Sequence, residues 1–472
     1  MKLAAQEKLL WGADPSGGAP YVFADPSNPQ VYIGFDVEVA NAIANKLGME
    51  AELVPTDWTS IVESLKRKEF RIIINGFEPT SDRAKQIIFS KPYYIFQLQL
   101  TVRKDRQDID SLADCIARKK TVGTLANCAA SRLLESSGAV YIEYPDPVAA
   151  YVDLEYGRID AVLMDVPMEM FYARKNPAFI NVGPLFHPGT YVAGLRNDDS
   201  SLQKRINLAI DTLISDGSIE RIMRKWELWD STQHALLTGT GDFQITGRTF
   251  NWVEALIKLL KAAFVTILIA FGSMIIAMVL GVPLAFGQAY GSAPVRWLCT
   301  VYIEFFRGTP VLIQLLFLYF GLPVIGIVLP GWLTALIGLG LNYAAYESQI
   351  YRTAFQAVPQ RQWDVSYSLG MKPFLTFRRI IFPQAFRIAL PPMTNDFVAL
   401  FKDTSTAYVI AVWELATAYR ELANATGQFL LLGIIVSAFY LMMSLPLAHY
   451  ARKLEKKFNP SQGNGKEALR LD

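Results

Sequence analysis

Few residues in this 472-residue chain are spaced for chemistry, and several familiar constellations are missing. Cys115, Cys128 and Cys299 form no CxxC pair, so neither a disulfide framework nor a zinc site is expected. His187, His234 and His449 lie far apart and give no ligand spacing, so no metal is expected. Gly463-Asn464-Gly465-Lys466 lacks a Ser or Thr after the lysine and a strand before the glycine, both of which a phosphate loop needs. The chain is therefore not expected to hydrolyse ATP. Two features do carry chemistry. Lys402 and Asp403 sit near the middle of a largely apolar stretch, where charge is costly unless paired or facing a cavity. They read either as a local ion pair at a break or as groups on a pathway. Trp363–Leu369 reads as a short amphipathic helix ending at Gly370, a residue suited to the left-handed cap.

The elements around these residues divide into two halves. Net charge is +2 and charged residues make up 19%, which does not fit the basic face of a nucleic-acid binder. Hydrophobic residues make up 52% and mean hydropathy is +0.23, high for a wholly soluble chain. The excess is uneven. Residues 1–240 mix charge and apolar runs, whereas Ala262–Val295 and Gly308–Tyr346 carry no charge. About 20 apolar residues cross a bilayer. Five spans are expected: Leu256–Ala285, Val295–Leu322, Trp332–Gln349, Ala389–Val412 and Leu422–Ala451. Arg352, Arg361, Lys372, Arg378, Arg379 and Arg387 follow the third span, and Lys453, Lys456 and Lys457 follow the fifth. The positive-inside rule makes both segments cytoplasmic. Five spans with a cytoplasmic C-terminus place the soluble half outside the cell membrane. A domain there needs an export signal or an upstream span, and Met1-Lys2 leads almost directly into Leu9-Leu10-Trp11. A processed or shortened start is expected.

The soluble half alternates strands and helices. Helical faces run over Val37–Leu47, Ser60–Lys68, Ala129–Glu135, Pro147–Tyr156 and Pro167–Ala173. Strands are expected at Leu9–Trp11, Arg71–Asn75, Thr121–Thr124, Tyr141–Tyr144 and Ala161–Met164. The alternation points to α/β lobes with parallel sheets. Gln97–Val102 and Thr190–Leu195 are expected to connect two such lobes, Leu202–Trp226 to close the domain with a break at Gly217, and Thr238–Gly247 to link it onward. Two lobes joined by crossover strands make a cleft where a small molecule is expected. The fold class expected is an α/β two-lobed clamshell followed by an all-α, five-helix transmembrane domain. The domains are 1–229 (lobes of about 1–98 plus 193–229, and 99–192), a linker at 230–250, the membrane domain at 251–455 and a cytoplasmic tail at 456–472.

The membrane half resembles permease subunits of ATP-binding-cassette importers of the polar amino-acid family. Tyr302-Ile303-Glu304-Phe305-Phe306-Arg307-Gly308-Thr309-Pro310 with Gln314-Leu315 resembles their second-helix signature. Arg361 through Gly370, then Phe382-Pro383-Gln384-Ala385, is similar to their cytoplasmic coupling loop, although Asp364-Val365-Ser366 replaces the usual Glu-Ala-Ala. Asn395-Asp396-Phe397 and Lys402 through Ser405 match the fourth-helix segment. The resemblance implies that Gln362, Trp363, Asp364, Ser366, Leu369 and Gly370 dock on an ATPase. It also implies that Glu304, Arg307, Lys402 and Asp403 serve the pathway. The partner would be a separate ABC ATPase in two copies carrying ATP and Mg2+, with no cofactor in this chain. One permease half per chain implies a homodimer in the inner membrane.

The soluble half resembles the amino-acid-binding proteins of the same systems. The matching residues are Gly34 to Glu38, Thr80 to Arg83, Phe89 to Tyr93, Gly157 to Val162 with Asp165, and Gly217 with Lys225-Trp226. The resemblance implies that Arg83 forks onto a ligand α-carboxylate with Gly76 and Thr80 beside it, and that Asp165 takes the α-ammonium. Trp58 would pack the ligand side chain, and Asp14 would meet its polar end. Glu78 stands where a small Ser or Thr is usual, Cys128 follows Asn127 where Gly-Thr is usual, and Gly18 and Ala19 replace an aromatic. Glu78 would repel a ligand carboxylate unless it turns away or a cation shields it. With Asp14, Glu78 and Asp165 near one cleft, a polar amino acid is the expected ligand, cationic ones included. Other classes remain open: a ligand-gated channel or sensor on the same clamshell, or an enzyme using these carboxylates as acid and base.

Overall fold

The computed structural model describes residues 7–16, 18–106, 108–238 and 251–458. Contacts divide the chain into two compact units, Met1–Trp252 with Arg420–Leu430, and Val253–Tyr419 with Leu431–Asp472.

The first unit is built on an eight-stranded sheet and a two-stranded hairpin. Its strands are β1 Lys8–Ala13, β2 Phe23–Asp25, β3 Asn28–Ile33, β4 Glu50–Pro55, β5 Ile72–Ile73, β6 Ile87–Arg103, β7 Thr121–Leu125, β8 Val140–Tyr144, β9 Ala161–Asp165 and β10 Phe179–Arg196. The large sheet runs β4-β1-β5-β10-β6-β9-β7-β8, and β2 pairs with β3. β1 is parallel to β4 and β5, and β7 is parallel to β8 and β9. Each parallel trio is the heart of one lobe. β6 and β10 pair antiparallel from Phe179–Arg103 to Arg196–Ile87, and β9 joins β6 antiparallel. The connecting strands are thus longer than the short segments expected, and they carry antiparallel edges between the two parallel trios.

Helices fill the crossovers where periodicity places them. Phe35–Leu47 buries Phe35, Val39, Ala40, Ile43 and Ala44 on one face and ends at Gly48 in the left-handed conformation. The closing stretch breaks at Gly217 into Ser200–Ser215 and Ser218–Lys225. The stretch read as a linker begins with structure. Ser231–Gln233 and His234–Thr238 are helical, and buried Gln233 exchanges hydrogen bonds with the Ile95 backbone (3.0 and 2.6 Å). The rest of the linker, 239–250, and the tail from 459 lie outside the described residues.

The second unit is helical. Trp252–Tyr290 and Phe429–Ala451 are long and apolar enough to cross a membrane. A third candidate is the pair Ala293–Gly308 and Val311–Ile325, which bends by 108°. The single helix expected over Val295–Leu322 is therefore corrected to a broken one. Pro310 lacks an N–H, and the residue before a proline is driven out of the helical region. Thr309 accordingly sits at φ −119°, ψ 144°. Gln314 stitches the break, donating to the carbonyls of Phe306 (3.0 Å) and Thr309 (3.1 Å) and accepting from Asn342 (3.0 Å).

Two other expected spans also differ. Phe382–Asp403 is followed by a 3-10 turn, Thr404–Ile410, and Leu415–Thr426 is separated from Phe429 by Gly427. Five spans are not reproduced by length and apolarity alone. Gly331–Ala357 carries Glu347 and Arg352, and Phe382–Asp403 carries Arg387, Asp396, Lys402 and Asp403.

Candidate functional site: a carboxylate-lined cleft

Ligands of parallel sheets collect at the carboxyl ends of the strands, where the chain leaves the sheet and side chains are free of its pleat. β1 ends at Ala13 and hands over to Asp14. β4 leads to Asp57 and Trp58, and β5 to Asn75 and Gly76. In the other lobe β7 leads to Cys128, β8 to Pro145 and Asp146, and β9 ends at Asp165. These residues line one cavity of about 270 Å³, with Ser16, Tyr21, Glu78 and Met168 among the others. The volume falls just below the roughly 300 Å³ where drug-sized pockets begin, so the cleft suits a small ligand.

Asp165 is the most buried acid facing this space apart from Glu78. Its Oδ1 accepts from the Tyr21 hydroxyl (2.7 Å) and, as N-cap of Val166–Tyr172, from Met168 N (3.0 Å). Tyr21 in turn shares a hydrogen bond with Tyr191 (2.9 Å). Burial pushes the Asp165 carboxyl up to about 6, against the pull of these donors. Gly76 forms part of the floor at φ 56°, and a Cβ there would meet the Tyr21 ring at 2.6 Å. Its N–H donates to Asp36 (2.6 Å), whose carboxyl burial raises to about 7.

Asp14 holds the opposite lobe in shape. Its Oδ2 accepts from Trp58 N (2.8 Å) and its Oδ1 from Ser16 N (2.9 Å), while Trp58 Nε1 donates to Ala126 O across the lobes (3.3 Å). Asp146 caps Pro147–Glu155 through Ala149 N (2.9 Å). Its carboxyl is raised by burial and also by the like charge of Asp14.

Glu78 does not point bare into the cavity. Its Oε1 accepts from Ala129 N (2.9 Å) at the start of helix Ala129–Ser137, and its Oε2 is paired with Arg132. A cation therefore shields it. Arg83 and Thr80 are held by groups of their own neighbourhood. Arg83 donates to the carbonyls of Glu78 (2.8 Å) and Asn127 (3.4 Å), and its guanidinium stands 4.2 Å from the Phe77 ring centroid and 5.1 Å from that of Trp58. Burial lowers it to about 10, so it stays charged at neutral pH. Thr80 caps Ser81–Ala84 by accepting from Arg83 N (3.2 Å). Neither residue is among those lining the cavity. Backbone carbonyls left by the loop after β5 and by the residue before Cys128 satisfy the Arg83 donors first. Cys128 does line the cavity, but its thiol turns to Leu125 O (3.0 Å).

Of the candidate site residues, Asp14, Trp58, Gly76, Glu78, Cys128 and Asp165 line this one cavity. Tyr21, Asp57, Asn75, Asp146 and Met168 went unnoticed in the sequence. Most of them follow a strand end, which is the signal that could have found them. Arg132 carried none, since its partner lies 54 residues away.

In the second unit, Gln360–Ser368 is a helix with Leu369 as its cap and Gly370 at φ 75°. Gly370 N donates to Tyr367 O (2.9 Å) and Met371 N to Ser366 O (3.1 Å), the paired bonds of a Schellman stop. Val365 is 58% and Leu369 76% exposed, an apolar edge on a polar helix. Ser366 is buried and its hydroxyl donates back to Gln362 O (2.6 Å), while Trp363 packs beside Tyr290 with ring centroids 6.1 Å apart. Gln362 and Asp364 are exposed. Of the pathway candidates, Asp403 accepts from the Tyr343 hydroxyl (2.7 Å), and no ion pair joins it to Lys402 among the described residues. Arg307 stands over the Tyr346 ring at 5.4 Å, and Glu304 and Lys402 are exposed. The local ion pair is thus not formed. Among the described residues no cluster of His, Cys, Asp and Glu is suited to a metal.

A two-lobed cleft domain joined to a helical membrane unit defines a receptor–permease class of transport protein. Comparison with known proteins agrees. Residues 9–228 match the bacterial extracellular solute-binding proteins, family 3, and residues 277–456 match the binding-protein-dependent transport system inner membrane component. The chain is 36% identical over 206 residues to the probable amino-acid ABC transporter permease protein YckA of Bacillus subtilis, covering 44% of this chain and 91% of that one. It is 34% identical over 197 residues to the L-cystine transport system permease protein TcyB of the same organism, covering 42% and 84%. An ancestral arginine-binding protein bound to arginine is 29% identical, with a TM-score of 0.43 over 47% of this chain and 99% of that one. The chain belongs to the amino-acid ABC transporter permeases, with a family 3 solute-binding domain fused ahead of the permease domain. It is a transport subunit of the inner membrane rather than an enzyme.

Proposed function

We propose that this chain captures a small, polar, positively charged compound, a cationic amino acid or a related amine, outside the membrane and passes it through a paired permease driven by a separate ATPase. The observation that carries the ligand charge is the lining of the cleft. Asp14, Asp57, Glu78, Asp146 and Asp165 face it, and no Lys, Arg or His does among the described residues. None of the described ion pairs involves Asp14, Asp146 or Asp165, so their charge is left for a ligand to balance.

The rest of the machine follows from family membership and from the second unit. Two copies of the chain would enclose one pathway, with Glu304, Arg307, Lys402 and Asp403 near it. The exposed Val365 and Leu369 edge of helix Gln360–Ser368 would seat in each of two ATPase subunits, which hold the ATP and Mg2+. In this arrangement the binding domain is extracytoplasmic and the C-terminus cytoplasmic. Ligand closes the lobes, and that closure biases the permease toward one of its states only if the ligand prefers the closed form.

The test is uptake into proteoliposomes holding the full chain with its co-purified ATPase. Accumulation of a labelled cationic substrate that requires ATP supports the reading. Flow down a gradient through the chain alone would favour a ligand-gated channel instead.

A further inference from the structure

Glu78 sits where an incoming anion would find its best partners. Ala129 N is the first free amide of a nine-residue helix, and such an end attracts negative charge. Arg132, one turn further along, brings a full positive charge to the same place. Both are already taken by the two oxygens of Glu78, which reaches them from the other lobe. Arg83, the other guanidinium nearby, directs one donor of each terminal nitrogen to the carbonyls of Glu78 and Asn127 and does not line the cavity. The protein thus supplies its own carboxylate to bridge the lobes at this point.

The geometry points to a ligand that has no carboxylate of its own: a small organic amine or diamine, such as a decarboxylated basic amino acid. This inference rests on the cationic reading of the cleft. A ligand carboxylate would have to displace Glu78 from Arg132 and Ala129 or stay among acids. At close range to an unpaired carboxylate, the repulsion outweighs what one hydrogen bond returns. An ammonium meets the opposite situation. Asp14 and Asp146 line the cleft from opposite lobes, and the charge of Asp14 reaches Asp146. One cationic head between them would relieve that repulsion and tie the lobes together. A second head has Asp165, which is oriented by Tyr21 and Met168.

The experiment uses the full chain in lipid nanodiscs and three matched pairs: agmatine against arginine, 1,5-diaminopentane against lysine, and 1,4-diaminobutane against ornithine. Titration calorimetry is expected to show the carboxylate-free member binding at least about tenfold tighter in every pair that binds, since one released ion pair is worth that much or more. E78S, which vacates Ala129 N and Arg132, is expected to narrow or reverse the ratio. E78Q keeps a hydrogen-bonding group on Ala129 N and serves if E78S does not fold. Equal or tighter binding of the carboxylated member by the unaltered chain overturns the inference while leaving the cationic receptor intact. Binding of neither member of any pair overturns both.

Discussion

Glu78 and Arg132 lie 54 residues apart in sequence and on different lobes, yet they are paired across the cleft. Glu78 is almost fully buried, and the Arg132 side chain is about a quarter exposed. A carboxylate in such a place is tolerable only with a partner. Together with Tyr21 on Asp165 and Trp58 on Ala126, the pair holds the two lobes against one another.

R132M should therefore be costly. It leaves a buried carboxylate with one amide donor, and loss of one partner of a buried pair costs about 3 kcal/mol or more. Combining it with E78Q should recover most of that loss. A denaturant series on the four members of this double-mutant cycle measures the coupling, and a value near zero would remove the pair from the account.

Ligand affinity should depend on pH through Asp165. A cation needs the carboxylate ionised, and burial has pushed this group up to about 6. Affinity should be flat above pH 7 and fall about tenfold per unit below 6 if one proton competes with the ligand. Calorimetry at pH 5, 6, 7 and 8 checks this. Affinity rising on acidification would contradict it.

The ligand-free protein should show the opposite trend in stability. Asp165 and Asp36 bind protons more tightly folded than unfolded, at about 6 and 7 against an ordinary aspartate value near 3.8. Between roughly pH 4 and 7 the folded form therefore holds more protons, and these two groups make stability decline as pH rises. Melting of D36N and D165N against pH should show a flatter slope than the unaltered chain.

Gly370 tests the coupling helix. At φ 75° a β-branched side chain is strained, and G370V should cost about 1–2 kcal/mol locally. The expected result is ligand binding unchanged and ligand-stimulated ATP hydrolysis reduced several-fold. Unchanged stimulation would mean that the Gln360–Ser368 stop is not part of the transmission.

Much of this was legible in the sequence because it is local. Strands between helical stretches marked β7, β8 and β9, helical spacing over Val37–Leu47 marked the helix Phe35–Leu47, and Gly217 and Gly370 marked helix boundaries. The resemblance to amino-acid-binding proteins then pointed to Asp14, Trp58 and Asp165, which line one cleft. What was missed is not local. Arg83 donates to the backbone carbonyls of Glu78 and Asn127, and only the folded path of those loops reveals these partners. The Val295–Leu322 span looked continuous in hydropathy, although Pro310 carries the chemical reason for its 108° bend. Arg132 gave no signal because its meaning depends on a residue in the other lobe.

The central claim is that a cation seats on Asp165 in this cleft. Titration of the full chain in nanodiscs with the twenty amino acids and small diamines, repeated with D165N, tests it most directly. The account predicts that only positively charged ligands bind, and that D165N weakens them by about ten- to a hundredfold, the worth of one charge-assisted hydrogen bond. Tight binding of a neutral or acidic ligand, or cation binding untouched by D165N, would contradict it.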